Sequence, residues 1–215
     1  MRFVISGIAL MITIIFHELA HGVVALAMGD DTAKRAGRLT LNPIKHISIT
    51  GLLCFYFFKF GWANPVPINE QNFKHKKIGL FLVSIAGVTA NFIIALIAGF
   101  FIAKGIFKID FLYNLSVYLL IYNVSFGIFN LLPFPPLDGS KILLSLFPED
   151  WHEDFFKHEK YLYIILMVLI FTNVIGKALG PMVNYIMRFI FRFTLKPVYP
   201  AQVRAQTLII NPQTL

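Results

Sequence analysis

Long uncharged runs alternate along this chain with short basic or proline-rich stretches. The first run, Phe3 to Gly29, has Glu18 as its only formal charge. At ~1.5 Å per residue a helix of that length crosses a hydrocarbon core of ~30 Å. Residues 79–103 carry no charge and lie between Lys74, Lys76 and Lys77 on one side and Lys104 and Lys108 on the other. Phe111 to Leu132 is a third uncharged span. An amphipathic linker, Lys141 to Lys160, leads to a last span starting near Tyr161 that weakens after Lys177. Gly180-Pro181 is expected to kink or end it, and residues 182–193, with Arg188 and Arg192 among aromatics, suit an interfacial helix. Ile47 to Phe58 is an apolar run of only a dozen residues, as able to re-enter a membrane as to cross it. In Gly61 to Asn69, Pro65 and Pro67 forbid a helix interior and favour an extended edge or loop.

Composition agrees with the pattern. The 215 residues are 57% hydrophobic and 14% charged, with mean hydropathy +0.71. A soluble domain carries roughly a quarter charged residues, so soluble and disordered classes are both excluded. The formal net charge of +8 is spread between apolar runs, which reads as membrane-flanking charge and argues against a nucleic-acid partner. Cys54 is the only cysteine and excludes an intrachain disulfide. A signal peptide competes for the first run, but His17, Glu18 and His21 interrupt its second half and no cleavage site stands out, so it reads as a retained helix.

Those three residues carry the sharpest chemistry. In His17-Glu18-Leu-Ala-His21, positions i and i+4 share one helix face, so both imidazoles can reach one metal ion. Glu18 is placed to accept a proton from a metal-bound water. Two interior histidines satisfied by hydrogen bonds are the bland alternative, but polar groups this dense in a membrane helix usually mark function. A third protein ligand is needed. Asp30, Asp31, His46, Glu70, His75, Asp110, Asp138 and the cluster from Glu149 to Glu159 are the candidates. Asp138 differs in closing an uncharged span, within Asn130-Leu-Leu-Pro-Phe-Pro-Pro-Leu-Asp-Gly139, where prolines free backbone groups that could line a polar cavity. Gly139 permits a tight turn there. A helix-ending turn aspartate is an equally open reading of that spacing.

His17-Glu18-x-x-His21 followed by Asn130-x-x-Pro-x-Pro-Pro-Leu-Asp138-Gly139 resembles the site-2 protease family of intramembrane zinc metalloproteases. Gly37-Arg-Leu-Thr-Leu-Asn-Pro43, Gly61-Trp-Ala-Asn-Pro-Val-Pro67 and Ala86-Gly-Val-Thr-Ala-Asn91 are similar to its compact prokaryotic branch without a PDZ domain. The family's Ala-Gly-Pro is here Ala86-Gly87-Val88. The resemblance covers roughly residues 10–145. It implies zinc held by His17, His21 and Asp138, Glu18 as general base, and Asn130 orienting substrate or stabilising the oxyanion. Asn91, an amide within an uncharged span, is a second substrate-side candidate, against the default of a helix-packing hydrogen bond.

Shared ligation dictates topology. The first and third uncharged spans must run parallel, so only residues 79–103 can cross between them, and residues 47–69 are expected to form a re-entrant hairpin or loop. The expected fold is an all-α polytopic membrane protein of about four transmembrane helices plus that hairpin. Residues 1–193 form the metalloprotease domain (core about 3–145), and 194–215 a polar tail. Eight Lys or Arg between residues 29 and 77, against Arg2, Lys104 and Lys108 opposite, place the zinc on the cytoplasmic side of the prokaryotic cell membrane. The implied partners are the bilayer and a membrane protein substrate with a transmembrane segment. Gly61 to Asn69 is a candidate to pair with such a substrate in its unwound form. Two other classes compete. A metal transporter or channel would show inverted repeats, which are not evident. An inactive binding homologue would have no need of Glu18.

Overall fold

The computed structural model describes residues 1–48, 50–51, 63–148 and 150–194. Three helices are each long and apolar enough to cross a membrane: α1 (Arg2–Ala27), α3 (Lys76–Ala103) and α4 (Asp110–Asn130). A short α2 (Thr32–Arg35) follows α1, and α5 (Asp138–Leu146), α6 (Asp150–Phe171) and α7 (Val174–Thr194) complete the order. Residues 157–171 and 174–192 make a fourth span only if taken together across a 75° bend. The fold is that of an all-α polytopic membrane protein.

Polarity is distributed as a bilayer requires. Phe3, Val4, Ile93, Ile97 and Phe100 face outward, whereas Thr13, Asn91 and Asn123 are fully buried. Lipid offers helices no hydrophobic drive to associate, so close packing of small residues and interhelical hydrogen bonds hold them together. Ala9, Ala25, Ala95 and Ala98 supply the first, and Asn123 Nδ2 donates to Thr13 Oγ1 at 2.9 Å, joining α4 to α1.

Side-chain pairings fix the helix directions. Thr13 meets Asn123 and His17 meets Phe126, so α1 and α4 ascend together. His21 pairs with Val83 and His17 with Asn91, so α3 descends between them. The expected parallel arrangement is therefore present. Most of the expected hairpin lies outside the described residues, but its ends meet. Ile47 and Ala63 form an antiparallel bridge, and Asn64 N–H donates to His46 O at 2.8 Å. The described flanks, residues 46–47 and 63–64, thus lie side by side on one side of the bundle. The tail from 195 onward also lies outside the described residues.

The C-terminal helices correct one expectation. The chain breaks at Thr172–Asn173, where Asn173 adopts φ 57°, and Pro181 sits inside α7. Asparagine tolerates the left-handed region that stops α6. A proline within a membrane helix is tolerated because neighbouring groups can re-satisfy the freed carbonyl. Residues 182–193 are helical, and α7 seats Met187 and Ile190 in one core with Ala95, Ala98, Leu120, Ile121, Val124 and Ile128.

At the α1 terminus, Asp30 is fully buried. It accepts from Thr32 N–H (3.1 Å), Thr32 Oγ1 (2.5 Å), Asn69 N–H (2.8 Å) and Asn72 Nδ2 (2.8 Å). Burial pushes this carboxyl upward, but the donors overcome it and hold the group below the usual carboxylate range. A group depressed on folding stabilises fully above its unfolded value of ~3.9 and loses that contribution as pH falls through the folded value. The stability gap between wild type and Asp30→Asn should therefore stay flat down to about pH 5 and shrink below about pH 4. Detergent unfolding across that range measures it, and a gap widening in acid would contradict the assignment.

Candidate metal centre

His17 and His21 lie one turn apart in the second half of α1, on the face turned towards α3 and α4. Both are buried. The Pro-rich link after α4 turns back so that Asp138 opens α5, where a carboxylate in the first helical turn is favoured by the exposed amides and the dipole. Asp138 Oδ2 then lies 3.2 Å from His17 Nε2 and 3.2 Å from His21 Nε2, and the two Nε2 atoms are 3.1 Å apart. Among the described residues, these are the three that form a cluster able to hold a metal ion.

The donor set fits zinc. Ligand atoms at ~2.0–2.1 Å from a tetrahedral zinc stand ~3.3–3.4 Å apart, close to the observed triangle. Asp138 Oδ2, though near both imidazoles, makes no hydrogen bond of its own, so its lone pairs are free to meet a cation. The ring nitrogens on the far side are also engaged. His21 Nδ1 lies 2.7 Å from Val83 O, and a carbonyl can only accept, so Nδ1 carries the proton and Nε2 is left as a ligand. His17 Nδ1 lies 3.2 Å from the Asn91 amide, whose Oδ1 is buried without a partner. With the two ends of that carboxamide exchanged, Oδ1 gains a donor and His17 Nδ1 carries the proton in the same way.

Two glycines allow this convergence. A Cβ at Gly87 would collide with both imidazoles, so this position of α3 must be bare. Val88, where the resemblance leads one to expect proline, leaves α3 uninterrupted and is buried. Gly139 serves close approach instead of the tight turn expected from sequence. It is helical, and a Cβ there would strike the Leu131 and Leu132 carbonyls.

The other predicted residues fall as follows. Glu18 is half-buried beside the triad, and its Oε2 accepts from Val66 N–H at 2.8 Å. Asn91 is fully buried behind His17, which makes it a support for a ligand. Asn130 is buried, and its Nδ2 donates to Phe126 O at 3.0 Å, one turn back on α4. Phe126 itself packs edge-on against His17, with ring centroids 4.8 Å apart. The other third-ligand candidates in described positions lie outside the triad: Asp30 is saturated by donors, Asp31 pairs with Arg35, and Glu70 with Lys141. Sequence reasoning missed the Val83 carbonyl and the Val66 amide, backbone groups with no side-chain signature.

Comparisons with known proteins agree with this geometry. The chain is 41% identical over 186 residues to "Putative zinc metalloprotease YwhC" of Bacillus subtilis (strain 168), covering 82% of this chain and 84% of that protein. Residues 103–176 match peptidase family M50. The chain belongs to the site-2 protease family, peptidase family M50. Family membership makes it a metalloprotease, and the helices make it a multi-pass membrane protein. No solved structure matches the chain.

For this family member, Gly87→Ala should push the imidazoles out of register, lowering bound zinc from about one per chain to well under half, with the helices intact. Metal analysis alongside circular dichroism checks this; full zinc occupancy in the variant would show that the site has slack. Asp138→Ala should likewise reduce zinc binding by on the order of tenfold or more in affinity.

Proposed function

We propose that this protein is a zinc metalloendopeptidase that cuts membrane proteins within or beside their transmembrane segments, as in regulated intramembrane proteolysis. The observation that carries this reading is the triangle of His17, His21 and Asp138 where two parallel spans end on one side, with Glu18 alongside. His17, His21 and Asp138 would hold the zinc. Zinc there supplies Lewis acidity, lowering the pKa of water towards ~7 and polarising a carbonyl.

The chain's own groups do the rest. Glu18 takes the proton from the attacking water and returns it to the leaving amine. Its Oε2 is already held by the Val66 amide, which leaves Oε1 to face the water. Asn130 would orient the substrate carbonyl by turning its amide away from Phe126. The substrate is a membrane protein with a transmembrane segment, whose helix must unwind locally because its carbonyls are otherwise occupied. Basic residues 34–77 around the open ends of α1 and α3 support a site nearer the cytoplasmic face of the cell membrane.

Glu18→Gln should retain zinc yet lower cleavage of a single-pass substrate by on the order of 100-fold or more. Chelation should abolish wild-type cleavage and added zinc restore it. Purified protein with a labelled substrate in detergent or liposomes tests both. Zinc flux across liposomes that survives Glu18→Gln would point to transport instead.

A further inference from the structure

The stretch between the bridge at Ala63 and the knot at Asp30 is hung at both ends. Asn64 N–H donates to His46 O at 2.8 Å, and Arg38 Nη2 donates to Asn64 O at 2.7 Å. At the far end Asn69 N–H donates to Asp30 Oδ2 at 2.8 Å. Between these anchors Pro65 and Pro67 have no N–H, so the Val66 amide is the one donor from residue 65 to 67. That amide is the one on Glu18 Oε2, at 2.8 Å.

Register therefore decides everything here. A slip of one residue in either direction would set a proline nitrogen opposite Glu18 and remove the bond. Asp30 is built to prevent a slip. Its backbone N–H bonds to Ala25 O at 2.9 Å, making it a rigid extension of the helix that carries Glu18. Its carboxylate meets only donors, including Asn69 and Asn72 from the far end of the strap. One rigid unit thus grips the strap at residue 69 and receives its amide at residue 66. Buried Val66 adds a side-chain contact, lying so close to Gly22 that a Cβ there would come within 3.1 Å of Val66 Cγ1.

We propose that Asp30 is a positioning residue for Glu18: its carboxylate sets the register of residues 64–69 so that the Val66 amide, flanked by two prolines, fixes the carboxylate of the general base. This rests on the reading of Glu18 as that base. Arg38, within the Gly37-to-Pro43 motif, holds the opposite end of the strap.

Asp30→Asn is the test, because the isosteric amide replaces one acceptor oxygen with an NH2 that must face N–H donors, Asn69 N–H on one side or Thr32 N–H and Asn72 Nδ2 on the other. The zinc-loaded variant and wild type are compared in detergent by three measurements. Zinc content should be unchanged. Hydrogen exchange of peptides covering residues 63–70 should accelerate at least about tenfold, since the Asn69 amide loses its carboxylate acceptor and the freed register draws the Val66 amide off Glu18. Cleavage should fall on the order of 10- to 100-fold in kcat, with KM within about twofold. Unchanged exchange, unchanged kcat despite faster exchange, a fall confined to KM, or loss of zinc with loss of activity would each overturn the proposal. If Asp30→Asn does not fold, Thr32→Val, which removes one of the four bonds, should move exchange and kcat in the same directions by less, and no movement counts against it. Should wild type cleave no substrate, the proteolytic reading fails, while exchange still reports whether Asp30 sets the register.

Discussion

Three electron-rich atoms held within 3.2 Å of one another inside a membrane bundle form the constraint on which this structure turns. In a low-dielectric interior a carboxylate oxygen without a donor is costly, and two imidazole lone pairs facing each other add to that cost. A divalent cation removes both penalties at once, which is why the triangle reads as a metal site. Neighbouring groups are committed to the same end. Val83 O spends a helix carbonyl on His21, Asn91 sits behind His17, and α3 gives up a side chain at Gly87.

The architecture follows from bringing those atoms together. His17 and His21 belong to one span, and Asp138 opens the helix after another, so the two spans must end on the same side of the bilayer. One antiparallel helix between them satisfies that condition, and α3 is that helix. Residues 28–75 therefore begin and end on the active-site side, and Lys74 N–H donates to Met28 O at 3.0 Å where they close. This connection carries the Val66 amide that holds Glu18. Within it Asp30, Ala33, His46, Val66 and Phe73 are buried, which seats the connection on the helix ends.

How much of this could be read beforehand depends on the kind of signal. His17, Glu18 and His21 announce themselves because residue type and helical spacing are both visible in sequence, and uncharged length gives α1, α3 and α4 directly. Asp138 was one candidate among many until the resemblance selected it, since its approach to α1 is a tertiary event. Asn173 gave no warning. Gly180-Pro181 looked the stronger breaker, yet a single left-handed asparagine eight residues earlier took the bend. Asp30 was visible only as one more loop carboxylate. What marks it is saturation by donors distant in sequence, Asn69 and Asn72, and no local pattern encodes that.

Prolines at a peptidase site are usually read as shaping a loop, and here they do something more specific. A strand with free amides at every residue could bond Glu18 in several registers, and its carboxylate would sample several orientations. Removing the amides at 65 and 67 leaves one productive alignment. The same prolines keep the strap extended, so its length between Asn64 and Asn69 is set and the anchors at Arg38 and Asp30 act on a stiff element. A general base needs its carboxylate fixed before water arrives, because misplacement of about 1 Å can cost on the order of 100-fold in rate. The Pro-Val-Pro strap achieves this with a backbone group, which unlike a side chain has no rotamers of its own to lose, so the order lies in the chain's covalent geometry and costs little further entropy on binding.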